Sequence, residues 1–228
     1  MAQPDVGLSD HLAIVDVHAG DDLSPLAGSW EIDPTHSAVE FVARYAMFTL
    51  VRGRFTSFAG TVTLDPPHFE ATQIDVEIDA ASVDSAMALR DAHLRGEDFF
   101  DVERHPVISF RARGAALLAP GRYTVHGELT IRGITQPVRL AVDAFGCAPD
   151  LLGDARLGLH ATAKVQRALW GITWNAPLMG GGVSLAQEVA LELDVSLVRA
   201  GPTVRSRSAV SERRDAVGAP GAAGARRA

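Results

Sequence analysis

Apolar and polar residues alternate with a period of two through most of the middle of the chain. Within 73–79 the apolar set is Ile74, Val76 and Ile78 against Gln73, Asp75, Glu77 and Asp79. Within 123–131 it is Tyr123, Val125, Leu129 and Ile131 against Thr124, His126, Glu128 and Thr130. The same rhythm returns at Val138, Leu140 and Val142, at Leu157, Leu159 and Val165, and at every second residue from Val189 to Leu197. Each such stretch predicts an antiparallel strand with one wet face. Further strands are expected at Ser29–Asp33, Ser37–Tyr45, Gly53–Asp65 and Val107–Ala116, the last with Arg111 and Arg113 on the face of Val107. Turn signals at Asp65-Pro66-Pro67, Pro120-Gly121, Arg132-Gly133 and Gly146 to Gly153 separate them. Eight or nine long strands with no helical layer to cover them must bury their apolar faces against one another. A closed barrel or a two-sheet sandwich follows.

One segment breaks the rhythm. Residues 86–95, AMALRDAHLR, are strong helix formers, with Asp84 or Ser85 as a candidate N-cap and Gly96 as the stop. Met87, Arg90 or Asp91, and Leu94 share one stripe of that helix, and Leu89 and His93 share the next. So short and only partly amphipathic a helix suits a flap over the open end of a barrel.

Composition changes the picture at the two ends. Residues 1–27 carry five Asp and no Arg or Lys, and the tail from Ala200 carries six Arg against Glu212 and Asp215 in a run of Ala, Gly and Ser. Both ends are expected to be solvated extensions, leaving 28–199 as the domain. The whole chain has a formal charge of −7, and its Arg are scattered across strands, which argues against a nucleic-acid interface. The single Cys, Cys147, rules out an intramolecular disulfide. With no charged n-region at the start and no long apolar window, the expected location is the cytoplasm.

Candidate chemistry is sparse. No nucleophile elbow, P-loop, dinucleotide fingerprint or H-E-x-x-H motif occurs, so neither a cofactor nor a catalytic residue is expected. Asp91 and His93 stand two apart on the predicted helix, about 200° around its axis, which spoils joint metal binding. His36, in the turn DPTHS, reads as a backbone-bonded turn histidine before it reads as a general base. The aromatics are more suggestive. Phe41, Phe48, Phe55, Phe58, Phe99, Phe100, Phe110, Trp170 and Trp174 gather at strand ends and in the connections 46–51 and 169–177. An eight-stranded barrel is just wide enough either to be filled by such side chains or to hold one small ligand, and both readings stay open at this level.

The blocks WEIDPTHSAVEFVARY, VRGRFTSFAGTVTLD, ASVDS, LRDAHLRGEDFFDVERHPVISF, GELTIRGITQPVRLAV and WGITWN, in that order from about Gly28 to Arg199, resemble the YceI-like family of polyisoprenoid-binding proteins. The resemblance implies an extended, eight-stranded, lipocalin-like antiparallel β-barrel with a helix near one end. It implies a hydrophobic tunnel for a long isoprenoid chain, such as a quinone tail or polyprenyl group, and no catalytic activity. The matching blocks place Asp33, His36, Arg54, Asp91, His93, Leu94, Phe99, Phe100, Asp101, Pro106, Gly171, Ile172 and Asn175 at family-pattern positions. The expected tunnel residues are Phe41, Phe48, Phe55, Phe58, Met87, Leu94, Phe99, Phe100, Phe110, Trp170, Ile172 and Trp174, with His36, Arg90, Asp91 and His93 as a polar mouth. Many family members carry a secretion signal, whereas this chain starts with an acidic extension and ends in an Arg-rich tail. Transient membrane-surface contact and a homodimer are compatible with that reading. Two other functions are weighed: an enzyme acting on a bound prenyl or quinone substrate through His36 or His93, and a stress-related module acting through the tails.

Overall fold

A computed structural model describes residues 14–18, 22–179 and 182–200. Among the described residues eleven strands and one α-helix follow one another: β1 Gly28–Ile32, β2 Ala38–Tyr45, β3 Thr49–Phe55, β4 Phe58–Leu64, β5 Gln73–Asp79, β6 Val83–Asp84, α1 Ala88–Arg95, β7 Val107–Ala119, β8 Arg122–Ile131, β9 Ile134–Pro149, β10 Ala155–Gln166 and β11 Leu185–Arg199. Eight of them close into an antiparallel ring in the order β1-β4-β5-β7-β8-β9-β10-β11, with β11 returning to β1 through Trp30↔Arg199 and Ile32↔Leu197. Of the barrel and the sandwich that the alternation allows, the barrel is present, and closure leaves the ring without a free edge.

The 15 residues of β11 make the barrel long. At about 3.4 Å per residue they span about 50 Å. The C-terminal part of β11 pairs with β1, and its N-terminal part pairs with β2 through Val189↔Ala43 to Asp194↔Ala38. Sheet β2-β3-β6 therefore extends the wall beyond the ring, and α1 with the loop after it covers that end.

Three sequence expectations need correcting. The single strand expected over 53–65 is two strands, because Thr56 and Ser57 turn the chain and both backbone N–H groups donate to Ser82 Oγ, at 3.2 and 3.1 Å. β3 pairs with β2 and β6, β4 with β1 and β5. The helix begins at Ala88, since Ala86 has φ +60° and Met87 is extended. Neither Asp84 nor Ser85 caps it in the expected way; instead the Ser85 backbone N–H and hydroxyl both donate to Asp91 Oδ1 one turn into the helix. Finally, the acidic extension is partly built into the domain. Val15 and Cys147 exchange backbone hydrogen bonds of 2.8 and 3.0 Å, and Val15, Val17 and Leu26 are buried. Gly146 is needed beneath this strap, where φ is +133° and a Cβ would lie 2.8 Å from the Val15 carbonyl oxygen. The expected Arg-rich tail lies outside the described residues.

Buried side chains fall into two clusters along the barrel. One, at the helix end, is centred on Phe55, Phe58, Val83, Phe110 and Trp170. The other, at the strap end, is centred on Val15, Trp30, Phe69, Tyr123 and Leu197. Trp30 is fully buried there, its Nε1–H donating to Leu26 O at 2.9 Å and its ring lying 4.5 Å beneath the Arg199 guanidinium.

Candidate functional site

The alternation that forms the strands also forms an apolar lumen. Inward positions Val39, Phe41 and Ala43 on β2, Leu129 and Ile131 on β8, and Val189, Leu191 and Leu193 on β11 enclose a cavity of about 590 Å³. That size falls within the range of about 300–1,000 Å³ usual for small-molecule sites. Two aromatic triads flank it on the helix side. Phe41, Phe55 and Phe100 pack at ring-centroid distances of 5.4 to 6.4 Å. His93, Phe99 and Trp174 pack at 4.8 to 5.5 Å. Gly53 accommodates the first triad, because a Cβ there would lie 2.3 Å from Phe41 Cζ.

Phe99 and Phe100 sit in a turn, whereas an extended backbone would have sent them to opposite faces. Both line the cavity, one in each triad. Of the residues expected to form the tunnel, Phe41, Phe55, Met87, Leu94, Phe99, Phe100, Phe110, Trp170, Ile172 and Trp174 line it. Phe58 is buried in the surrounding core, and Phe48, 82% exposed, stands at the tip of the β2–β3 hairpin. Neither borders the cavity.

The polar mouth is also divided. Arg90 and His93 line the cavity. Arg90 is held by Ser85, which accepts from it through Oγ at 2.7 Å and through its carbonyl. His93 Nε2 lies 2.9 Å from Asp98 Oδ2, and the ring is held edge-on by Phe99 and Trp174. Asp91 is buried away from the cavity and serves to lock the start of α1 to Ser85.

His36 lies outside both the lumen and its mouth. Its Nδ1 is 2.7 Å from Asp33 Oδ2 in the turn between β1 and β2, where Arg156 Nη1 also donates to Asp33 at 2.6 Å. Since Leu157 faces inward, Arg156 beside it faces outward, and the cluster sits on the outer wall. Burial opposes ionisation of Asp33, but hydrogen bonds from Thr35, Arg156 and His36 outweigh it and hold the carboxyl well below the usual range. Among the described residues no three His, Cys, Asp or Glu converge as a metal site.

Arg167 was not anticipated. It is buried, lines the cavity, and donates from Nε to Ala186 O at 2.9 Å and from Nη1 to Ile172 O and Trp174 O at 2.9 and 2.8 Å. Burial pulls its pKa below the ordinary value, although an Arg stays charged. Asn175 fixes the same junction, its Nδ2 donating to Leu185 O at 2.7 Å and its Oδ1 accepting from Leu185 N at 2.9 Å. Together they bind the 171–177 loop, with Ile172 and Trp174, onto β11. Gly171, at φ +71° after the 3₁₀ turn Arg167–Trp170, supplies the left-handed step that starts the loop.

A family model for the YceI-like domain matches residues 30–197. The chain belongs to the YceI-like family. Among its relatives, the UPF0312 protein YE1254 of Yersinia enterocolitica is 34% identical over 179 residues, covering 78% of this chain and 90% of the relative. Among solved structures, Burkholderia cenocepacia BcnA superimposes with a TM-score of 0.62 at 22% identity, covering 72% of this chain and 98% of BcnA. A polyisoprenoid-binding domain from Saccharophagus degradans gives 0.56 at 14% identity, over 75% and 98% of the two chains. At these identities the structural neighbours establish the YceI-like fold alone.

Proposed function

We propose that this YceI-like protein is a non-enzymatic carrier or sequestering protein for a long isoprenoid or similar amphiphile, with the apolar tail in the 590 Å³ cavity and the head group beside Arg90 and His93. The observation that carries the reading is the lining itself. Among the described residues its only polar or charged side chains besides tyrosine and tryptophan are Glu40, Ser85, Arg90, His93 and Arg167, and Arg167 is already engaged by carbonyls. A buried CH₂ contributes about 0.8 kcal/mol, so a five-carbon prenyl unit gains about 3–4 kcal/mol gross before ordering costs. A few units give useful affinity without a polar contact. The polyisoprenoid-binding domain from Saccharophagus degradans, built on the same fold, supports this ligand class.

The rim of the mouth supports transient contact with a lipid bilayer. Met87 and Leu89 line the cavity and are exposed, and Met47, Phe48 and Leu50 on the neighbouring hairpin are exposed as well. Exposed apolar surface marks an interaction site, and Met87 and Leu89 belong both to it and to the lining of the lumen. A prenyl tail could then pass from bilayer to cavity without crossing water.

The His93–Asp98 pair beside the cavity is the one observation favouring acid–base chemistry on a bound chain. Under the carrier reading, His93→Ala changes head-group preference and leaves the recovered lipid chemically unaltered. The carrier reading is tested by titrating the full chain with an all-trans prenyl alcohol and following tryptophan fluorescence. Saturable quenching that is reduced in Trp174→Phe, with Trp170 still reporting from the lining, is expected. Absence of any change, with no alcohol retained after gel filtration, would overturn the reading.

A further inference from the structure

The barrel holds a second cavity of about 150 Å³, and consecutive inward residues of the same strands pass from one cavity to the other. Along β5, Ile78 borders the large cavity, and Val76 and Ile74 border the small one. Along β11, Leu193 faces the large cavity and Val195 the small one. The two are therefore stacked on one axis. Among the described residues Phe110 and Leu140 alone border both, so these two side chains stand between them. The Phe110 ring is seated on β8 at Gly127, where a Cβ would lie 2.3 Å from Phe110 Cζ. A side chain at 127 would clash with the ring where it now sits.

The small cavity is otherwise apolar, with Thr72 and Tyr123 its only hydroxyl-bearing residues. Thr72 is 2% exposed, and its Oγ1 has no hydrogen-bond partner. A bound water needs two to four polar partners, so these two hydroxyls mark the one place where the lining offers the minimum, and the rest of it is apolar. At the far end it is lined by Val17 of the N-terminal strap and by Leu26. What results is a mostly apolar chamber, bordered at one end by the strap and at the other by Phe110 and Leu140.

We propose that the small cavity is a terminal subsite for the end of an isoprenoid chain and that the Phe110 ring, seated on Gly127, closes it, so that Phe110 sets the longest chain the protein holds. The proposal rests on the carrier reading of the large cavity. In the protein as it stands, affinity rises with each added prenyl unit until the large cavity is full, then levels off. Without the ring the two cavities merge, and the rise continues into the small one.

The test uses the full chain and a ladder of all-trans prenyl alcohols from geraniol to solanesol, with affinities from native mass spectrometry. Phe110→Ala should move the plateau to an alcohol at least one unit longer, which then binds at least tenfold tighter than to the unaltered protein. Adding Ala161→Leu, which places bulk in the small cavity only, should cancel that gain, and alone should leave the plateau where it was. Because removing a core ring can cost stability, Phe110→Leu is run in parallel, with folding checked by circular dichroism; it should give a smaller shift in the same direction. Identical plateaus in folded Phe110 variants and unaltered protein would overturn the subsite while leaving the carrier reading intact. Failure of every alcohol to bind the unaltered protein would overturn the carrier reading itself.

Discussion

Replacing Ala43 by Phe separates a cavity that holds a ligand from one that merely survives folding. Ala43 is buried on β2 between Phe41 and Tyr45, and its side chain borders the large cavity. A benzyl group there occupies the space of about one prenyl unit. At about 0.8 kcal/mol per buried CH₂ the displaced unit is worth about 4 kcal/mol gross, and partial rearrangement of the chain leaves a loss of about 2–4 kcal/mol. Affinity for a prenyl alcohol should fall roughly thirtyfold to several-hundredfold by isothermal titration. Folding stability should stay level or rise, because voids destabilise a core by about 24 cal/mol per Å³ and the ring fills one. Unchanged affinity in a variant of unchanged or raised thermal midpoint would refute the placement of the chain in this cavity.

Three further outcomes follow from the same geometry. Arg167→Met should lower stability by about 2–4 kcal/mol in urea denaturation, because the carbonyls of Ile172 and Trp174 lose their donor; stability equal to the parent protein would show that the junction does not depend on it. Asp33→Asn should cost stability at neutral pH, and the deficit should shrink as pH falls below about 3.9, the unfolded-state value, since a carboxyl held low when folded contributes only where the unfolded chain is also ionised. A deficit equal at neutral and acidic pH would exclude that ionic role. Phe48→Ser and Leu89→Ser, at positions 82% and 80% exposed, should each weaken co-sedimentation with phospholipid vesicles about tenfold without moving the thermal midpoint, and vesicle binding equal to the parent would remove the bilayer contact.

The strand faces were legible because each strand keeps one parity. Val189, Leu191 and Leu193 read as one face and build one wall of the cavity. What alternation does not reveal is where parity resets. Phe55 and Phe58 stand an odd number of residues apart, so one continuous strand would have put them on opposite faces. The turn at Thr56 and Ser57 lets both be buried, with Phe55 alone on the cavity. Phe48 carries the same composition signal as Phe41 but sits on a hairpin tip, where an aromatic ring says nothing about direction. The strap was hidden because its energetics come from two side chains, Val15 and Val17, meeting β9 some 130 residues later in the chain. Arg167 gave no local sign, since its partners are backbone carbonyls that exist only once the 171–177 loop has folded onto β11. The helix stop at Gly96 was readable from spacing, while the mouth roles expected for Asp91 and His36 required knowing which way the helix and the turn would face.

Organic extraction of the full chain, purified without added lipid and analysed by mass spectrometry beside the Ala43→Phe variant, tests the central claim most directly. An isoprenoid recovered in near-stoichiometric amount from the parent protein and lost from the variant is the predicted result. A parent protein that yields no lipid, and whose crystallographic lumen is filled by its own side chains, would contradict the account.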